Sequence, residues 1–322
     1  MLTTRLYRDG VMDGSDVPFA EISDRLADES VCLWIDITSP TQELLAELEE
    51  ELGLHHLAVE DALHHHQRPK LDRYDTHLFL ATYAVQLDER TGRLHSTEVT
   101  AFITPRALVT VHPPEFDIGK VVHRFDADED LAKHGVAFLL WGLLDVIVDG
   151  HFDTVQQLDG AIESLEDALF DDRPRDKEVQ RRSFEIRKSL VLLRRLVLPM
   201  REVINTVLRR DVGSFDAAMS PYFQDVYDHV LRVTEWTESL RDLVSTILDT
   251  NLGIQGNRMN LVMKKVTSWA AIIAVPTAVT GFYGQNLPYP GADTLWGFWF
   301  STALMVVLSI GLYASFKARD WL

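Results

Sequence analysis

A short polar stretch between two apolar segments carries the side chains best suited to chemistry in this chain. Tyr283-Gly284-Gln285-Asn286 closes the first segment, and the second begins about ten residues later. The Asn286 amide oxygen can accept hydrogen bonds from the water shell of a cation without trapping the ion by a full charge. Mg²⁺ suits such a group because it gives up its waters reluctantly. The alternative is that Asn286 caps a helix, since asparagine is a common helix terminator.

The first apolar segment also carries a stripe of small or weakly polar side chains. They recur at three- and four-residue spacing: Thr267, Ala270, Ala274, Thr277, Gly281 and Gly284. Small residues let membrane helices pack closely. Several such faces around one axis could line a narrow wet path, and a plain packing face explains the stripe equally well.

Two segments are long and apolar enough to cross a bilayer. Residues 266–283 and 296–316 contain no Asp, Glu, Lys, Arg or His, and each is about the length that a helix needs to cross roughly 30 Å of hydrocarbon. The short loop between them predicts an antiparallel hairpin. Basic residues flank its outer ends: Lys264, Lys265, Lys317 and Arg319. These flanks predict that both termini are cytoplasmic.

The composition of the chain limits the kinds of partner that it can bind. The chain has 322 residues and a formal net charge of −18, which argues against a nucleic-acid partner, because counterion release needs a cationic surface. The same negative charge favours cations near the cytoplasmic end of the two membrane segments. Cys32 is the single cysteine, so no intrachain disulfide can form. The first residues lack the apolar core of a cleavable signal peptide, and none is expected.

The soluble part begins as an α/β module. Apolar runs predict strands at residues 31–37, 78–85, 95–103 and 107–112. Ser39 is the predicted N-cap of a helix over residues 41–52, with Pro40 in its first turn and Gln42 completing a capping box. Gly53 ends that helix. The turn signals between the strands indicate a mixed sheet covered by helices.

Helical periodicity dominates the rest of the chain. Apolar residues recur at helical spacing from about Leu131 to residue 170, and a break at residues 171–174 precedes a second helical run, 176–210, that closes at Gly213. Pro221 then starts a predicted helix that continues to Tyr283. The organisation predicted is an α/β domain (1–130), an acidic helical hairpin (131–219), a stalk helix (220–265) and a transmembrane hairpin (266–322).

The tetrapeptide at residues 283–286 resembles the Tyr-Gly-Met-Asn signature of the CorA family of divalent-cation channels, at the outer end of the first of two C-terminal spans. Other stretches are similar to that family: Glu60-Asp61, His66-Gln67-Arg68-Pro69-Lys70, residues 221–229, residues 260–264 and residues 316–322. The resemblance implies a homopentameric channel for Mg²⁺, and also for Co²⁺ or Ni²⁺, in a prokaryotic cytoplasmic membrane. It implies no enzyme activity.

The resemblance also implies roles for individual residues. Along the pore, Asn286 with Gly284 forms the outer selectivity ring, Thr277 lines the path, Asn260 forms a polar ring at the cytoplasmic entrance, and Met263 and Val266 form an apolar constriction. In the soluble part, regulatory Mg²⁺ binds between subunits, with Glu60 and Asp61 on one side and Asp225 on the other, and Asp145 matches a further ligand position. Mg²⁺ is thus expected both as cargo and as regulator. Without the resemblance, each of these acids reads as a solvated surface residue.

Two departures keep other functions open. Gln285 replaces the usual methionine, and residues 287–293 replace an acidic stretch with a loop in which Asp293 is the one carboxylate. A zinc transporter on the same scaffold is the nearer alternative, and a membrane-anchored binding or sensor protein that conducts nothing is the other. A histidine cluster offers imidazoles for a transition metal or simply a polar helical surface: His55, His56, His64, His65 and His66.

Overall fold

Short runs of β-branched and aromatic residues form a seven-stranded sheet in the N-terminal part of the chain. The computed structural model describes residues 1–64, 67–169, 176–209, 216–285, 291 and 294–322. The chain divides into two units, Met1–Ile247 and Leu248–Leu322. The strands are β1 Leu2–Arg8, β2 Val11–Ser15, β3 Val31–Thr38, β4 Lys70–Arg73, β5 Leu78–Asp88, β6 Arg93–Ile103 and β7 Ala107–His112.

The sheet is mixed, as predicted. Its strand order is β2-β1-β3-β7-β6-β5-β4. The pair β3 and β7 is parallel, and the other neighbours are antiparallel. All four predicted strands are confirmed, whereas β1, β2 and β4 were not predicted. β2 and β4 are the two edges of the sheet, so they need no continuous apolar run.

Helices account for most of the remaining described residues. They are α1 Ile22–Leu26, α2 Gln42–Leu52, α3 His56–Leu63, α4 Ile118–Ala127, α5 Val136–Leu169, α6 Asp176–Leu208, α7 Ser220–Tyr283 and α8 Leu295–Ala318. The predicted helical runs are thus confirmed as α5, α6 and α7. The predicted break at 171–174 and the closing Gly213 lie outside the described residues.

The two faces of the sheet carry different helices, because side chains alternate along a strand. On one face, Leu33, Ile35 and Phe79 join an apolar core with residues of α2 and α3. On the other face, the Trp34 ring meets the Phe125 ring of α4 edge-on at 5.1 Å between centroids. There the Thr82 hydroxyl also lies 3.3 Å from the Met200 sulfur of α6. The sheet therefore separates α3 from α4, α5 and α6.

The predicted N-cap of α2 is wrong by two residues. Thr41 is the cap, and its hydroxyl accepts a hydrogen bond from the Leu44 N–H at 3.3 Å. Ser39 instead has a positive φ of 55°, and its N–H donates to the His112 carbonyl at 2.9 Å. Ser39 thus connects the end of β3 to the end of β7 through this hydrogen bond, and Thr41 is the N-cap. The predicted stop is confirmed, since Gly53 is the left-handed C-cap with φ 61°.

The second unit contains the predicted antiparallel hairpin. Both α7 and α8 are long and apolar enough to cross a membrane, and only 6 % and 11 % of their most apolar stretches is buried. They are therefore unlike the core helices of a soluble domain. The Lys264 ammonium lies 5.9 Å from the centroid of the Trp321 ring. This contact brings together the two ends of the hairpin that are farthest from its loop.

Candidate ion path and cation-binding cluster

The residues expected along the ion path lie on the surface of α7. Met263 and Val266 are 61 % and 62 % exposed, and Asn260 and Thr277 are exposed as well. Large apolar side chains exposed on a helix require cover by lipid or by another protein surface. The helix α7 therefore presents these residues to whatever surrounds it.

The Thr277 hydroxyl is oriented by the helix backbone. It donates a hydrogen bond to the Ile273 carbonyl four residues earlier, at 3.1 Å. The hydroxyl oxygen keeps its lone pairs, so it can still accept from a water molecule carried by an ion. One turn later the Thr280 hydroxyl donates to the Pro276 carbonyl at 2.8 Å.

The helix α7 ends in a tight turn at the signature tetrapeptide. The Gly284 N–H donates to the Thr280 carbonyl at 2.8 Å, and the Gln285 N–H donates to the Phe282 carbonyl at 3.3 Å. A Cβ atom at Gly284 would lie 2.9 Å from the Thr280 oxygen, so this close approach favours glycine. Asn286 lies outside the described residues.

A charge cluster forms where α4 and α5 meet the first turns of α7. The Arg124 Nη2 atom lies 2.5 Å from the Asp145 Oδ2 atom, and the His229 Nδ1 atom lies 3.5 Å from the Asp149 Oδ1 atom. Asp145 also interacts electrostatically with Asp225. The structure thus brings the expected ligands Asp145 and Asp225 into one cluster within a single chain.

Arg124 already serves Asp145 as an internal counterion. Its guanidinium lies 4.8 Å from the Trp141 ring centroid, and Trp141 in turn packs edge-on against Tyr222 of α7. The Asp145 side chain is only 4 % exposed. A divalent cation at Asp145 must therefore share the carboxylate with Arg124 or displace it. Sequence reasoning missed this residue, because nothing in the spacing of Arg124 and Asp145 indicates that they meet.

Burial, with a smaller contribution from Asp149, raises the pKa of Asp145 from 3.8 to about 6, although Arg124 opposes the rise. Because the folded-state pKa is higher than the unfolded one, protonation of Asp145 favours the fold at low pH. That contribution is lost as the pH rises through about 6. Near neutral pH the ionised carboxylate therefore destabilises this corner of the protein when no cation binds it.

We expect Asp145→Asn to stabilise the protein near neutral pH in the presence of a chelator. The gain is about 2 kcal/mol. One pKa unit corresponds to about 1.4 kcal/mol, and the loss of the ion-pair partner of Arg124 offsets part of the gain. The gain should shrink as the pH falls below about 6. Thermal unfolding of the detergent-solubilised protein across this pH range measures it, with the exposed Asp167→Asn on the same helix as control. A gain that is equal at all pH values would contradict this account.

Glu60 and Asp61 lie on α3, on the opposite face of the sheet from Asp145 and Asp225. Glu60 is exposed. Asp61 accepts hydrogen bonds from the Lys70 ammonium at 2.7 Å and from the Gln67 amide at 3.0 Å. The structure therefore does not bring the two expected halves of the regulatory site together within one chain.

The described histidines of the predicted cluster have other partners. The His55 Nδ1 atom accepts from the Leu57 N–H at 3.2 Å and so caps α3. The His64 Nδ1 atom lies 2.9 Å from the Glu60 carbonyl, and His56 lies 3.7 Å from Glu49. No set of three or more ligating side chains among the described residues could hold a metal ion. His65 and His66 lie outside the described residues.

Comparison with known proteins agrees with the fold and the signature. Residues 29–318 match the family described as "CorA-like Mg2+ transporter protein". The cobalt/magnesium transport protein CorA of Thermotoga maritima is 31 % identical over 92 % of this chain and 85 % of its own length. The corresponding protein of Methanocaldococcus jannaschii is 26 % identical over 90 % of this chain and 91 % of its own length.

A solved structure shows the same architecture. The complete CorA magnesium transporter from Methanocaldococcus jannaschii superposes with a TM-score of 0.82 at 23 % identity, covering 100 % of this chain and 99 % of that one. The shared fold has an N-terminal α/β domain, a long helix and two C-terminal apolar helices. The chain therefore belongs to the CorA-like Mg2+ transporter family, a family of membrane transporters rather than enzymes.

Proposed function

We propose that this chain forms a homopentameric, channel-like transporter for Mg²⁺, and also for Co²⁺ or Ni²⁺, in the cytoplasmic membrane. Residues 1–130 and 131–219 form a cytoplasmic funnel, residues 220–265 the stalk and residues 266–322 the membrane hairpin, with both termini cytoplasmic. The membrane potential drives entry, at about 4.6 kcal/mol per divalent ion at 100 mV, twice the value for a single charge.

The observation that carries this proposal is the exposed, uncharged part of α7 over residues 266–283. Two helices cannot enclose a wet path, so several copies must gather around one axis for an ion to cross. Residues 266–283 supply no carboxylate or imidazole for a proton relay or an ion-coupled carrier. A path lined by carbonyls, hydroxyls and amides fits these residues best.

Along this path each predicted residue has a role that its chemistry supports. Asn286 and Gly284 form the outer ring that accepts hydrogen bonds from the hydrated ion, with Gln285 beside it. Thr277, seven residues before Gly284, offers hydroxyl oxygens about two turns deeper, and Asn260 offers amides at the cytoplasmic entrance. Between them, Met263 and Val266 form an apolar constriction that closes by dewetting.

The proposed regulation rests on four acids that lie on helices at opposite faces of the sheet. Glu60 and Asp61 lie on one face, and Asp145 and Asp225 on the other, so the two halves meet only between neighbouring copies. Mg²⁺ bridging them favours closed packing, and its loss lets like charges separate the subunits. Lys70 and Arg124 compete for Asp61 and Asp145, which weakens ion binding and suits a sensor that must also release the ion.

Flux into reconstituted vesicles tests the proposed function. We expect Mg²⁺ entry well above that of empty vesicles and increasing with an inside-negative potential, because a divalent ion gains twice the single-charge energy. Zn²⁺ entry in place of Mg²⁺ would support the zinc transporter that Gln285 and the altered loop leave open. If neither ion enters, a membrane-anchored binding or sensor protein is the remaining alternative.

A further inference from the structure

A cavity of about 880 Å³ opens within the first unit. It lies between β5, β6, the connection from β7 to α4, and one side of α5. Its described lining includes none of the residues assigned above to transport or regulation. The size falls in the range of small-molecule sites, which is about 300 to 1,000 Å³.

The cavity has an acidic wall. Four carboxylates line it together with one lysine, and they are Glu98, Glu115, Asp117, Asp153 and Lys120. Asp117 is engaged as the N-cap of α4, where it accepts from the Gly119 N–H at 3.1 Å. Glu115 and Asp153 are exposed at the rim. The remaining carboxylates outnumber Lys120, so the cavity attracts cations.

A buried hydroxyl in the wall is available to an occupant. Thr154 is only 2 % exposed and lines the cavity, and its hydroxyl makes no hydrogen bond to any described residue. Elsewhere in the described helices, threonine hydroxyls commonly donate to the carbonyl four residues earlier, as Thr234 and Thr237 do. A hydroxyl can both donate and accept, so Thr154 marks a place where a ligand in the cavity can bond.

The edge of β6 adds acceptors. β7 pairs with β6 only over residues 100–103, while residues 95–98 line the cavity. Alternate residues of an antiparallel strand direct their N–H and C=O groups away from the paired neighbour. The carbonyl groups on this unpaired side are therefore available to an N–H donor in the cavity.

Part of the remaining lining is apolar and includes Val85, Phe116, Val146 and Ile147, while the rest is polar: Gln86, His95, Ser96, Thr97 and Gln157. A hydrated metal ion gains nothing from the apolar part of this surface. No described group of three or more ligating side chains could hold a bare metal ion. A chain of methylenes with ammonium groups matches both parts of the wall, because methylenes bury apolar surface and ammoniums bond to carboxylates and carbonyls.

We propose that this cavity binds an aliphatic polyamine. Its ammonium groups bond to Asp153, Glu115 and the Thr154 hydroxyl, and its methylenes lie against the apolar side of α5. The proposal is independent of whether the chain conducts Mg²⁺.

Calorimetric titration of the detergent-solubilised full-length protein with spermidine, in saturating Mg²⁺ and at constant ionic strength, tests the proposal. We expect one molecule per subunit. The double variant Asp153→Asn, Glu115→Gln should weaken binding at least about tenfold, since hydrogen bonds to charged groups are the strong ones. Thr154→Val, which keeps the shape, should weaken it about fivefold.

The matched control is Glu163→Gln with Asp167→Asn, which removes two exposed carboxylates of α5 outside the cavity. It should leave the affinity within about twofold of the wild type, because distant exposed charges are screened. An equal loss in the control pair, or the absence of spermidine binding in saturating Mg²⁺, would overturn the proposal. Unchanged melting temperatures of the variants show that the fold is intact.

Discussion

Asn286→Ala is expected to reduce Mg²⁺ entry into reconstituted vesicles by at least about tenfold. In the proposed ring, every copy contributes one amide oxygen that accepts from the ion's water shell. Each such bond contributes about 1 kcal/mol net. Because the substitution removes the amide from every copy at once, it raises the barrier to entry by more than the loss of one bond would. A fluorescent Mg²⁺ indicator inside the vesicles gives the initial rate.

The matched control is Asn205→Ala, which removes the same amide from α6 in the soluble unit. Its Mg²⁺ entry should equal that of the wild type. If Asn286→Ala also keeps the wild-type rate, the selectivity ring is not at Asn286 and must be assigned to another group, with Gln285 the nearest.

Combining Asp61→Ala with Asp225→Ala should keep Mg²⁺ entry high when internal Mg²⁺ is high. The two carboxylates belong to the two halves of the proposed intersubunit site, so their loss removes the ion that favours closed packing. The midpoint of inhibition by internal Mg²⁺ should rise at least about tenfold, which corresponds to roughly 1.4 kcal/mol of coupling. Vesicles loaded with graded Mg²⁺ measure it.

The double variant Asp24→Ala, Asp228→Ala is the control for the loss of two negative charges. Both acids are exposed and take no part in the proposed site. That pair should keep the wild-type midpoint. An unchanged midpoint in the Asp61 and Asp225 pair would remove the sensor assignment while leaving the transport function untouched.

The sequence predicts the interior of the sheet better than its edges. β3, β7, the first half of β5 and the second half of β6 are mostly apolar and buried, so composition indicates them. β2 is almost entirely exposed, and β4 contains three charged residues in its four positions. Edge strands are often short and charged, because an apolar edge invites pairing with other chains. Such strands leave little signal in composition.

For the proposed regulatory site too, the sequence indicates some residues but not their partners. The types of the carboxylates and the resemblance select Asp61 and Asp145, but their internal partners are set by tertiary packing. Arg124 reaches Asp145 because α4 lies against α5, and Lys70 reaches Asp61 because β4 follows α3. Neither meeting follows from local periodicity, so the competition between these cations and a bound metal could be inferred only from the structure.

The separation of Glu60 and Asp225 by the sheet has a further consequence for the proposed oligomer and its proposed regulatory ion. An ion held by two copies binds only when they are together, so mass action makes the same ion hold the oligomer together. Starving the protein of Mg²⁺ would then loosen the ring as well as open it. Subunits diluted until they part would lose their response to the ion altogether.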